Sequence, residues 1–236
     1  MRGRITGGLL AVALVAAGTT GAATLTLNPT RDTKITGHRQ EMEYNSGKAT
    51  RLRTVAIQRA SAEFTVLDFD EEALVGFLKE QKGKEIAGKL VLTVRQVQGP
   101  KAKIEVCALD SANDWKEGRG SLSEAEKGEA TALMAQHEVK KWATADGVEV
   151  GRFKELIYDK ATGKVKTLLN GKSVEVDKQD RLKKVEIELD GKLLAHLAAD
   201  GNCRGLVLFH RTQGTKADFF SREQAQHKPL LVVTAK

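Results

Sequence analysis

Residues Lys89–Val97 read KLVLTVRQV. Leu90, Leu92 and Val94 recur at every second position, with Thr93 and Arg95 on the opposite parity. Side chains of a strand alternate between its two faces, so this stretch predicts a strand with one face in a core and one in water. Working outward, Arg51–Gln58, Ala62–Phe69 and Lys103–Leu109 carry the same β-branched, partly alternating character. So do Glu155–Asp159, Lys164–Leu169, Lys172–Val176, Lys184–Leu189, Arg204–His210 and Leu230–Thr234.

Turn chemistry separates these runs at Gly99-Pro100, Asp146-Gly147, Asn170-Gly171 and Asp200-Gly201. Asn and Gly both tolerate positive φ, so Asn170-Gly171 predicts a two-residue turn and a β-hairpin over Lys164–Val176. Asp159–Lys164 (DKATGK) is the turn leading into it. Helical signals are few. Asp70–Lys82 places Leu74, Phe77 and Leu78 on one face behind an acidic first turn, and Lys192–Ala199 repeats the pattern in miniature. Ser121/Glu124 and Ser123/Glu126 carry a weak capping-box spacing, which Gly128 limits to a turn or two of helix. The expected fold is all-β: a two-sheet β-sandwich (jelly roll) with short helices in connecting loops and an inserted β-hairpin.

Arg2 and Arg4, the apolar run Leu9–Ala17 and the small residues after it have the order of a secretory signal peptide. The run is shorter than the ~20 residues a membrane-spanning helix needs. The expected organisation is a signal peptide at residues 1–23 and one domain over 24–236. The product is expected to be secreted or extracytoplasmic (periplasm or cell surface), without membrane insertion after cleavage. Cleavage lowers the formal charge of +7 by two. In an oxidising compartment Cys107 and Cys203 can pair, and closing so long a loop would contribute up to ~4–5 kcal/mol. Two unpaired cysteines, one buried in the strand-like run, is the alternative.

Signatures of catalysis are missing: no Gly-x-Ser-x-Gly, His-Glu-x-x-His, Walker or Rossmann motif occurs. The five histidines, His38, His137, His196, His210 and His227, lack the short spacing of a metal site on one helix or hairpin, so no metal ligands are predicted. Asp68 with Asp70, and Asp110 with Asp114, are the carboxylate pairs a glycosidase reading would use, against a background of 31 acidic residues. No cofactor is expected. A structural Ca²⁺ would need Asp32, Glu43 and Asp218 to be brought together by pairing of the first and last strands. Positive charge is spread along the chain with acids interleaved. That argues against nucleic acid, which needs a clustered patch. Anionic polysaccharide suits spread Lys and Arg better, and a basic surface with no ligand is the competing reading.

Several segments together resemble the DNRLRE (disaggregatase-related) domain, the family-96 carbohydrate-binding module. Asp32-Thr33-Lys34-Ile35, Asn45-Ser46-Gly47 and Arg51-Leu52-Arg53 are similar to its opening. Phe64–Phe69 and Ile86–Val94 are similar to two of its strands, and Ile104–Gly118 to its "d-x-W-x-E-g" segment. Lys140–Thr144 and Asp218–Glu223, followed by Pro229–Val233, are similar to its later motifs. The sequence departs from the pattern at Gly147, which lacks a doubled glycine, ahead of Phe64, which lacks an Arg-Ser pair, and in an enlarged Gly151–Val176.

The resemblance implies a jelly roll that binds uronate-rich, alginate-like glycans without cleaving them. The binding candidates are then the basic residues near the matched segments, Arg51, Arg53, Lys140 and Lys141, with Arg39 and Arg211 as weaker choices. Trp115 and Trp142 lie inside fold motifs and are expected to be structural. Glu223 is expected to hold a loop by accepting backbone N–H bonds. A structural or adhesive envelope domain without a sugar ligand is the alternative, and a small polysaccharide-cleaving enzyme is the third reading.

Overall fold

The computed structural model describes residues 22–199 and 201–236. Most of the predicted signal peptide therefore lies outside the described residues. Strands β1 (Ala23–Leu27), β2 (Arg31–Thr36), β3 (Tyr44–Asn45), β4 (Arg51–Val55) and β5 (Glu63–Asp68) lead to helix α1 (Glu71–Glu80). The long β6 (Ile86–Gln98) and β7 (Ala102–Asp110) follow. The next stretch, 111–168, holds only short pieces: β8 (Ser123–Glu124), β9 (Met134–Gln136), β10 (Lys140–Lys141), α2 (Lys154–Ile157), β11 (Tyr158–Asp159) and β12 (Lys164–Val165). The chain closes with β13 (Leu169–Val176), a 3-10 turn at Lys178–Asp180, β14 (Lys184–Leu189), α3 (Gly191–Leu197), β15 (Cys203–Phe209), β16 (Lys216–Phe220) and β17 (Leu230–Ala235).

The fold is an all-β sandwich made from one large, curled antiparallel sheet. The KLVLTVRQV strand is its corner. The first part of β6 pairs with β17 on one edge and β14 on the other, and β17 carries β1. The end of β6 pairs instead with β16, and the register slips so that Arg95 is an extra residue opposite the Asp218–Phe219 step. A bulge of this kind bends a strand and lets it pass from one layer to the next. The second layer continues from β16 through β4 and β5 to β15, β7 and β13, with β2 also on β5.

Leu25, Leu90, Leu92, Ile187, Leu231 and Val233 from the first layer meet Leu52, Leu67, Ile104, Val106, Leu206 and Phe219 from the second. Leu90–Val94 of β6 are buried throughout, but the other first-layer strands, β1, β14 and β17, alternate buried with more open positions. The central second-layer strands do not: β5, β7 and β15 are buried on both parities. Their other face bears Phe64, Val66, Cys107, Leu109, Val207 and Phe209, and 111–168 covers it with Trp115, Trp142, Phe153, Leu156 and Ile157. Phe153 joins this second core edge-on, 5.0 Å from Trp142 and 5.3 Å from Phe64. Each such contact contributes about 0.5–1.5 kcal/mol beyond area burial.

Both predicted helices form. Asp70 caps α1 by accepting from the Ala73 N–H at 3.0 Å, and Leu74 and Phe77 are buried. Asp190 caps α3 by accepting from the Leu193 N–H at 2.7 Å. Ser121–Gln136 forms no helix; Ser123–Glu124 pairs with Tyr44–Asn45 instead. There the Glu129 carboxylate accepts from the Arg119 N–H at 2.6 Å and the Glu126 N–H at 3.0 Å, which pins the segment as turns.

The hairpin is displaced from its predicted place. Lys164–Val165 pairs backward with Tyr158–Asp159, so the DKATGK segment is itself the hairpin turn. Asp159 Oδ1 accepts from the Ala161 N–H at 2.8 Å, and Gly163 takes φ +69°. Asn170 and Gly171 lie within β13, which pairs with β7 through an irregular register between Leu169 and Ser173. The open edge of β7 offered a ladder that outweighed the local turn preference.

Candidate functional site

The four basic candidates occupy two separate places. Arg51 and Arg53 sit on one face of β4, above Asp218. Arg53 grips that carboxylate with Nε at 2.6 Å and Nη2 at 2.9 Å, and Arg51 Nη1 stands 3.9 Å from it. Lys140 and Lys141 form β10, which with β9 makes a separate two-stranded sheet, and Lys141 Nζ is 3.0 Å from Glu149. Arg211 is engaged by Glu105 at 2.9 Å. Among these, charge is largely spent on internal ion pairs.

Three other guanidiniums are placed differently. Arg39, Arg59 and Arg152 are exposed and line one open depression of about 1160 Å³, with His38, Tyr44 and Glu43. Among the described residues none of the three makes an ion pair or a side-chain hydrogen bond. Their backbones are nonetheless held. The Gly37 N–H donates to Ala62 O at 2.8 Å, tying the loop after β2 to the β4–β5 turn. Lys154 Nζ donates to Arg59 O at 3.0 Å, and the Phe153 N–H donates to Ala132 O at 2.8 Å. Phe153 is buried in the second core, so its neighbour Arg152 is presented at the rim by an anchored residue. Of the candidates read from sequence, only Arg39 belongs to this depression. Arg59 and Arg152 come from segments far apart in sequence and carry no local motif.

Trp115 and Trp142 are both fully buried. Their indole N–H groups donate to Arg204 O at 2.8 Å and Thr131 O at 2.9 Å. Arg31 lies 4.4 Å over the Trp115 ring and bridges Asp68 and Asp114. Neither tryptophan faces solvent as a platform.

Beside Trp115 is a partly buried ionic cluster centred on the buried Asp32. Glu117 accepts from the Asp32 N–H at 2.9 Å and from Arg222 Nε at 2.9 Å, and its second oxygen takes Arg222 Nη2. Asp32 accepts the Arg222 N–H at 2.6 Å, while its Oδ1 is buried without a partner. Burial pushes the Asp32 carboxyl up to about 7, with the neighbouring Glu117 and Glu223 acting in the same direction and Arg222 opposing. Burial also raises Glu117, against the hydrogen bonds from Asp32 and Arg222. The loop-holding role expected of Glu223 belongs to Glu117. Among the described residues the Glu223 carboxylate takes the Lys48 ammonium, at 3.1 Å, and no backbone N–H. Glu223 Oε1 also stands 3.9 Å from Arg222 Nε, at the edge of the same cluster. The calcium set is not assembled: Asp32 is in this cluster, Asp218 is with Arg53, and Glu43 lines the depression.

The two cysteines are unbridged. Cys107 is opposite Val207 in the β7–β15 ladder and belongs to the second core, whereas Cys203 is opposite Asp110 and packs against the first. They occupy opposite faces of one layer, which the short reach of a disulfide does not span. Cys203 instead meets two donors that sequence spacing left apart. One ligand atom each from Asp110, His196 and Cys203 lies within 4.8 Å of the others, and His196 Nε2 is 2.6 Å from Asp110 Oδ1. Among the described residues, this is the single cluster of three metal-ligating side chains.

No helix among the described residues is long and apolar enough to cross a membrane. No protein-family model matches this chain, and no curated protein matches it.

Proposed function

We propose that the chain is an exported, non-catalytic binding domain for anionic polysaccharide, and that the ligand lies in the depression lined by Arg39, Arg59 and Arg152. The observation that carries this reading is the concentration there of three guanidiniums without internal partners. Arg presents a planar fork that matches a carboxylate or sulfate group bidentately. The open shape suits a chain laid along the surface rather than a small molecule enclosed in a pocket. Tyr44 offers an amphipathic ring beside the cations. Glu43 and Glu124 line the same depression, so recognition relies on placed pairs more than on bulk charge.

A structural or adhesive envelope domain without a sugar ligand is the second reading, favoured by the burial of both tryptophans. Affinity electrophoresis in gels containing alginate, pectate or a sulfated glycan separates the two. Retardation is expected with at least one of these, weakening as salt is added because exposed charge pairs are screened. The triple change Arg39→Gln, Arg59→Gln, Arg152→Gln is expected to remove it, whereas Lys140→Gln with Lys141→Gln leaves it. Free migration of the wild type in all three gels overturns the proposal and leaves the structural reading.

A further inference from the structure

We propose that Asp110, His196 and Cys203 form a binding site for a divalent transition-metal ion of the zinc class. The inference rests on these three residues alone and is independent of the polysaccharide reading. The donors come from three elements: the end of β7, the exposed side of α3, and the first residue of β15. One sulfur, one imidazole nitrogen and one carboxylate oxygen is a borderline-to-soft set. It suits zinc and not calcium or magnesium, which prefer all-oxygen shells.

The local architecture aims the three donors at one point. In the β7–β15 ladder Cys203 faces Asp110, but Leu206 faces Ala108, so β15 carries one extra residue between them. Gly205, at φ +111°, takes up that bulge. Its effect is to give Cys203 the same facing as Asp110 and Ala108, toward the first core and α3. Helix α3 is seated by buried Leu193 and Leu194, which leaves His196 half-exposed above the strand pair.

Charge points the same way. A thiolate, a carboxylate and a neutral imidazole together carry two negative charges, the complement of a divalent ion. Cys203 is partly buried beside the Asp110 carboxylate. A bound cation supplies the positive charge that turns such a thiol into a thiolate, with release of its proton. Cys203 also borders a small cavity of about 120 Å³ shared with Asp68 and Arg204. Neither Asp110 nor His196 lines that cavity; three protein ligands with water or an exogenous ligand in the fourth position is the arrangement of open zinc sites.

The test uses the full chain, reduced and stripped with a chelator, and titrated with Co²⁺ as the visible probe and Zn²⁺ as the competitor. The expected result is one Co²⁺ per chain with a thiolate-to-cobalt charge-transfer band, bleached by Zn²⁺. The band should persist in Cys107→Ala and vanish in Cys203→Ser. His196→Gln and Asp110→Asn should each weaken Co²⁺ binding at least about tenfold, since even outer partners of metal ligands cost 10–100-fold. Zn²⁺ should raise the thermal midpoint of the wild type and not of these variants, whose urea midpoints without metal stay near the wild-type value. No charge-transfer band in the wild type, a band retained in Cys203→Ser, or unchanged affinity in both His196→Gln and Asp110→Asn overturns the proposal.

Discussion

Asp32 supplies the most quantitative prediction. Its carboxylate is fully buried, with one oxygen on the Arg222 N–H and the other without a partner. The Arg222 guanidinium is bonded to Glu117, and Asp32 receives only the Arg222 backbone N–H, so ionising Asp32 adds a buried negative charge that is only partly compensated. In the folded chain the group titrates at about 7, against an ordinary 3.8. Between those values the native state holds a proton that the unfolded chain has released. Stability from this group is therefore full below about pH 4 and falls as pH rises through about 7. The slope is ~1.4 kcal/mol per pH unit. Across roughly three units the loss reaches about 4 kcal/mol, a large part of the 5–15 kcal/mol typical of a whole domain.

Asp32→Asn keeps an oxygen for the Arg222 N–H and removes the charge. The assay is urea unfolding of both proteins at several pH values from 4 to 8.5, read as the difference in unfolding free energy at matched pH. The two should be nearly equal at pH 4. The variant should be more stable by about 4 kcal/mol above pH 8. A difference that stays constant across the range would refute the reasoning, because a purely steric or hydrogen-bonding role carries no pH dependence.

Two further predictions follow from the core. Trp142→Ala should destabilise the chain by about 3–5 kcal/mol in urea unfolding, as expected for a fully buried tryptophan packed on Phe153; a cost under about 0.5 kcal/mol, usual for surface changes, would contradict its placement. Because Cys107 and Cys203 lie in different cores, excess reductant should leave the thermal midpoint unchanged, and unfolded, non-reduced chain should titrate two thiols. A fall of many degrees on reduction would show a bridge.

Features encoded by near neighbours were legible in the sequence. The alternation of Leu90, Leu92 and Val94 predicted a strand, and β6 forms there, but Val91 and Thr93 on the opposite parity are buried as well, so the water-facing side does not appear until Arg95. The apolar stripes of Asp70–Lys82 and Lys192–Ala199 predicted two helices, and α1 and α3 form there. The strands β5, β7 and β15 were legible as strands, but their burial on both faces was not, because the segment that covers the second face is distant in sequence. Asn170-Gly171 misled for a related reason. Its turn preference is worth little against a row of unpaired groups on β7 that only the fold places alongside.

The β class, the two short helices and the supply of charge were legible in the sequence, since these depend on residues a few positions apart. Which charges pair internally and which stay exposed depends on the fold. Arg53 closes on Asp218, 165 residues away, while Arg39, Arg59 and Arg152 are left open in one depression. Asp110, His196 and Cys203 converge only because the β7–β15 ladder, its bulge at Gly205 and the seating of α3 bring three elements to one point. Ion pairs and ligand sites depend on distances of a few ångströms across the fold, and those distances have no counterpart in spacing along the chain.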